Sequence, residues 1–183
     1  MIKNLMNILK EKVDSHNIDA DLCLTNNESV EMNYDPIRKS IEVNIDTLTG
    51  GSRYYDLPLN VYAEIVLCHE LGHAIDKDLD KISREISTCY DLLIKTGYDE
   101  KILDTIKYNR ILAEKNAWDI AGKIINNEYK GFFEVIRNDS LERSVDCEEL
   151  LKQRITLLYE IAEQEGYNEL LKNELNKVSG ASE

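Results

Sequence analysis

The sequence predicts an α+β fold, with a small antiparallel sheet packed on one buried helix and a mainly helical C-terminal half. Three observations lead there. Segments between residues 20 and 45 alternate apolar and polar side chains, the period of a half-buried strand. The segment after Pro58 is apolar around most of a helical circumference, as in a helix buried on several sides. From about residue 81 onward the apolar positions recur at helical spacing.

Residues 1 to about 16 form the first expected helix, with Leu5, Leu9 and Val13 on one face and Lys10-Glu11-Lys12 on the wet side. Three strands follow in the alternating runs 20–24, 29–33 and 40–45. Asn26-Asn27 and Asp35-Pro36 supply turn chemistry between them. Gly50-Gly51-Ser52 reads as a loop. Pro58 suits the first turn of a helix, and from Leu59 to Ile75 that helix is strongly apolar. Further helices are expected at about 81–96, stopping at Gly97, at 99–127, and at 140–164, stopping near Gly166. A short C-terminal helix follows, and 179–183 reads as a frayed tail.

Composition narrows the function classes. The chain has 183 residues, 43% hydrophobic and 31% charged, so it can bury a real core. Its formal net charge of −13 repels phosphate backbones and argues against nucleic-acid partners. The same charge argues against a basic membrane-surface helix. No stretch approaches the ~20 apolar residues of a membrane span. Lys10-Glu11-Lys12 breaks the N-terminal apolar run too early for a signal peptide, so a cytoplasmic location is expected. Cys23, Cys68, Cys89 and Cys147 are scattered and read as free thiols.

Chemistry concentrates in His69-Glu70-Leu71-Gly72-His73. Histidines four apart on a helix lie one turn apart on the same face. Two neutral imidazoles so placed can share one zinc ion. Zinc lowers the pKa of a bound water to about 7. Glu70 is then placed to act as general base. Two of the chain's three histidines fall in this motif, inside an apolar helix where idle polar groups would be costly. Gly72, unfavourable within a helix by about 1 kcal/mol against alanine, implies close approach of another element. The metal and a strand edge are the expected neighbours.

A catalytic zinc keeps three protein ligands and one open position. Asp76 and Leu79 stand where an extended motif would place a glycine and a third histidine, which rules out a three-histidine site of that type. A carboxylate is therefore expected. Glu114 is the best candidate, because it shares a face with Ala117 and Ala121, whose small side chains permit close helix approach. Asp76 is the rival ligand and also a candidate to support the ligands; Asn116 and Asp119 are further supporting candidates. Tyr54, Tyr55, Tyr62 and Tyr108 flank the motif as candidate transition-state donors, with no basis for choosing among them.

His-Glu-Leu-Gly-His-Ala, a preceding strand region and a later Glu-x-x-Ala-aromatic-x-x-Ala helix resemble the glutamate-zincin metallopeptidases, and among them the ImmA/IrrE-type family of bacteria and their mobile elements. Glu114, Ala117, Trp118 and Ala121 match the second motif, and the resemblance covers roughly residues 38–125. The spacing from His73 to Glu114 is longer than the family pattern, with an extra helix inserted. The resemblance implies a zincin-like fold, a bound Zn2+, and cleavage of a protein or peptide substrate, often a regulatory repressor. On this reading residues 1–127 are a zincin-like metallopeptidase domain and 128–183 a helical extension packed on the same domain.

Two other readings use the same residues. A peptide deformylase would take Cys23 as a ligand, but the glycine-rich surroundings of such enzymes are missing, and Cys23 and Cys68 read as core positions. A non-catalytic helical interaction protein would carry a structural or vestigial zinc site. Leu141, Val145, Leu150, Leu151, Ile155, Leu158 and Ile161 would supply its apolar face. Glu70 argues against that, since a structural site has no need of a base. The oligomeric state is open.

Overall fold

The computed structural model describes residues 2–165 and 168–180. The fold is α+β. Helix α1 (Ile2–Ser15) precedes strands β1 (Asp21–Leu24), β2 (Met32–Asp35) and β3 (Ser40–Val43). Helices α2 (Ile45–Tyr54), α3 (Leu59–Ile75), α4 (Leu79–Thr96), α5 (Glu100–Ile124), α6 (Lys130–Glu165) and α7 (Asn168–Gly180) follow, with one 3-10 turn at Asn127–Tyr129. The chain forms two compact units, one of residues 1–76 with 116–137 and one of residues 77–115 with 138–183.

In the first unit the sheet order is β1-β3-β2. The expectation of a purely antiparallel sheet needs correction: β2 pairs antiparallel with β3, but β1 pairs parallel with it. Consecutive strands do run in opposite directions, as the turn residues imply. The tight β2–β3 hairpin, however, inserts β3 between its two predecessors. Asp35 starts that hairpin, its Oδ1 accepting from the amides of Ile37 (2.8 Å) and Arg38 (2.9 Å). The 25–31 connection wraps the far end of β3. There Asn44 Nδ2 donates to Asn27 O at 2.8 Å and Thr47 Oγ1 to Val30 O at 2.7 Å.

Gly50-Gly51-Ser52 is not a loop but lies within α2. Asn44 caps this helix, accepting from the amides of Asp46 and Thr47, and buried Leu48 and Ser52 anchor it. Tertiary packing overrides the low helix propensity of glycine here. Gly51 fits here because a Cβ would meet the Glu31 carboxylate and the ring of buried Tyr62, which would have to shift. Helix α3, packed against α1, α2 and β2, is buried from Val61 to Gly72 at most positions. Lys12 ties α1 down by donating to Glu64 and to Ile124 O, each at 3.0 Å.

The second unit is helical. Cys89, Tyr90 and Leu93 of α4 pack with Leu103 and Ile106 of α5, Ile155 and Tyr159 of α6, and Leu171 and Leu175 of α7. Gly97 ends α4 with φ 87°, as its expected stop requires. Helix α6 begins at Lys130, ten residues before the expected start, because Phe133 and Ile136 are already buried. Of its expected apolar face, Ile155 is buried while Val145, Leu150 and Ile161 are exposed. The expected stop at Gly166 and tail residues 181–183 lie outside the described residues, while Ser179 and Gly180 are helical. Among the described residues no helix is long and apolar enough to cross a membrane.

Gly51→Ala should lower stability by about 1–3 kcal/mol, the usual cost of overpacking. A reduced urea midpoint with an unchanged slope is the expected result. Gly50→Ala, with nothing within 4 Å of its added methyl, should not lower it.

Candidate metal centre

His69 and His73 occupy successive turns near the end of α3, with ring centroids 4.7 Å apart. Glu114 lies on the unbroken helix α5, one turn before Ala117. One ligand atom from each of His69, His73 and Glu114 falls within 4.8 Å of the others. Of the two carboxylates weighed as third ligand, Glu114 joins this cluster. Among the described residues, no other group of three or more His, Cys, Asp or Glu side chains meets the same criterion. Two imidazoles and one carboxylate are a donor set suited to a borderline cation such as Zn2+.

Gly72 explains how α5 comes so near. A Cβ at residue 72 would overlap the backbone of Ala117. The close neighbour of this glycine is therefore helix α5, and not the strand edge expected from the sequence. Ala117 and Ala121 are fully buried, and Trp118 follows between them. The Trp118 indole stacks on His69, with centroids 4.3 Å apart and planes within 9°. Phe133 meets the indole edge-on at 5.5 Å.

Asp76 ends α3. Its backbone turns extended (ψ 112°) while its amide still donates to Gly72 O at 3.0 Å. Its carboxylate accepts from Asn116 Nδ2 at 3.1 Å, so these two supporting candidates bridge the end of α3 to α5. Asp119 instead pairs with Arg137 at 2.6 Å.

Glu70 is only 7% exposed. Its Oε2 accepts from the backbone amide of Tyr34 at 2.8 Å, and its Oε1 lies 3.5 Å from His69 Nδ1. Strand β2 is a sheet edge, so this carboxylate is oriented by an outward-facing strand amide. Sequence reasoning missed Tyr34. The contact uses a main-chain donor that every residue but proline carries, so side-chain type gives no signal for it.

Among the candidate tyrosines, Tyr54 and Tyr108 are exposed. Tyr55 stacks on buried Tyr62, whose hydroxyl donates to the Glu31 carboxylate at 2.9 Å. Burial pushes the Cys68 thiol up to about 12, so it remains a protonated core group beside His69. Cys23 is exposed, contrary to its reading as a core residue.

No protein-family model matches this chain, and neither a curated protein nor a solved structure is significantly similar to it.

Gly72→Ala should be costly, because the obstructing atoms are backbone and cannot rotate away. A loss of about 1–3 kcal/mol or more is expected in metal-free urea unfolding. Trp118 is the only tryptophan, so its emission should report the displaced helix directly. Wild-type emission and stability in this variant would refute the close approach.

Proposed function

We propose that the protein is a zinc-dependent metallopeptidase in which His69, His73 and Glu114 hold the metal and Glu70 is the general base. The observation carrying this reading is the convergence of those three ligand atoms within 4.8 Å. A carboxylate with the histidines leaves a fourth position for chemistry, whereas a structural site closes all four with protein. Zinc there would supply Lewis acidity, polarising a carbonyl oxygen and making hydroxide available near neutral pH.

The protein's own groups account for the proton transfers. Glu70 takes a proton from the attacking water as the water oxygen bonds to the scissile carbonyl carbon. It then delivers that proton to the departing amine nitrogen as the carbon–nitrogen bond breaks. The Tyr34 amide keeps the Glu70 carboxylate fixed in orientation before substrate arrives. Trp118 holds the His69 ring in plane. The resemblance to the ImmA/IrrE-type metallopeptidases supports a zincin-like arrangement and a regulatory protein as substrate.

The reading is tested by zinc content per chain together with hydrolysis of a peptide library. The wild type should hold about one zinc and cleave, by the three-ligand logic of catalytic sites. Glu70→Gln should keep the metal and lose at least 10²-fold in rate, the lower range of acid–base contributions. Glu114→Ala should lose the metal. Metal-free wild type, or full activity in Glu70→Gln, would overturn the proposal.

A further inference from the structure

The second unit holds a cavity of about 470 Å3 for which the proposed hydrolysis has no use. Pockets that take small molecules measure about 300–1,000 Å3. The floor of this one is apolar. Leu93 of α4, Ala162 of α6, and Leu171 and Leu175 of α7 line it, and all four belong to the core of the unit. One wall is aromatic, where the rings of Tyr98 and Tyr159 meet edge-on with centroids 5.5 Å apart. The Tyr159 hydroxyl donates to Leu93 O at 2.7 Å, which fixes that ring, while Tyr98 is 42% exposed.

Charges of both signs share the lining. Lys95 lies in the last turn of α4, Glu163 near the end of α6 and Lys172 on α7, and all three are exposed. Among the described residues none of the three forms an ion pair, whereas Arg154 of α6 and Lys177 of α7 both pair with Glu174. Two lysines left unpaired at one cavity are notable in a chain of net charge −13, where carboxylates are plentiful. The end of α4 adds acceptors. The Gly97 amide donates to Leu93 O at 3.0 Å, and Gly97 then leaves the helix with φ 87°. The carbonyls of Ile94, Lys95 and Thr96, residues of the same wall, lie beyond the last helical donor. A helix C-terminus carries partial negative charge and favours a cation.

An anion alone would meet Glu163 and this helix end, and a cation alone would meet two lysines. A small molecule carrying both charges and apolar groups suits the whole lining. We propose that the cavity binds a short apolar peptide with both ends free, such as a dipeptide. Its carboxylate pairs with Lys95 and Lys172, its ammonium with Glu163 and the α4 carbonyls, and its side chains cover the leucine and tyrosine surface. The site is independent of the metal reading.

The test is equilibrium dialysis of radiolabelled leucyl-phenylalanine against the full chain, with and without a chelator. Saturable binding that the chelator leaves unchanged is expected. Acetylating the amino end or amidating the carboxyl end should each weaken binding by at least about 10-fold, the worth of a hydrogen-bonded charge. The double variant Lys95→Gln with Lys172→Gln should weaken binding of the free dipeptide by roughly 5-fold, the scale of two exposed ion pairs. The same variant should bind the amidated dipeptide as the wild type does, a readout that a merely structural effect would not give. Lys101→Gln, outside the cavity, should change nothing. Absence of saturable binding would overturn the inference. So would binding abolished by the chelator, which would put the peptide at the metal centre. Equal affinity for free and capped dipeptides would overturn it too, by reducing the site to an apolar cleft.

Discussion

The backbone of α5 can lie against α3 only because residue 72 has no side chain. Much of the candidate centre depends on that contact. It sets Ala117 against the motif helix, and the helical period then fixes the neighbours of Ala117. Trp118 falls on the His69 ring, Asn116 reaches Asp76, and Glu114 lies one turn back. A glycine inside a helix costs about 1 kcal/mol. Burying an indole of roughly 150–250 Å² at about 25 cal/mol/Å² returns at most about 4–6 kcal/mol, so close approach wins comfortably.

What the sequence made legible follows from which signals are local. The His69–His73 spacing is read directly from helix geometry. So is the face shared by Glu114, Ala117 and Ala121, which pointed to close helix approach. The stop at Gly97 was legible because a positive φ beside a helix end strongly favours glycine. The illegible parts depend on partners distant in sequence. Gly50-Gly51 carries the composition of a loop, and only the distant Glu31 and Tyr62 side chains show why residue 51 of this helix is small. The parallel pairing of β1 depends on where the β2–β3 hairpin folds back, which alternation does not encode. The early start of α6 depends on Phe133 finding Trp118 and Gly122.

Charge is distributed by the same economy. Most ion pairs here join exposed side chains, and such pairs contribute little to stability. The more buried ones sit where helices have to be held. Lys12 satisfies both Glu64 and the carbonyl of Ile124, at the last turn of α5. Arg110 and Glu148 join α5 to α6 in the second unit. Their low exposure means that removing a single partner leaves an uncompensated charge, whereas removing both need not be harmful.

The bond from the Tyr34 amide to Glu70 has a consequence unrelated to catalysis. An edge strand with open donors is a template onto which another chain can add, and proteins generally obstruct such edges. Here a carboxylate from the underlying helix accepts from the outward-facing amide of Tyr34, so one donor of that edge is already taken. Glu70, which lies beside His69, thus also closes part of the sheet's exposed edge.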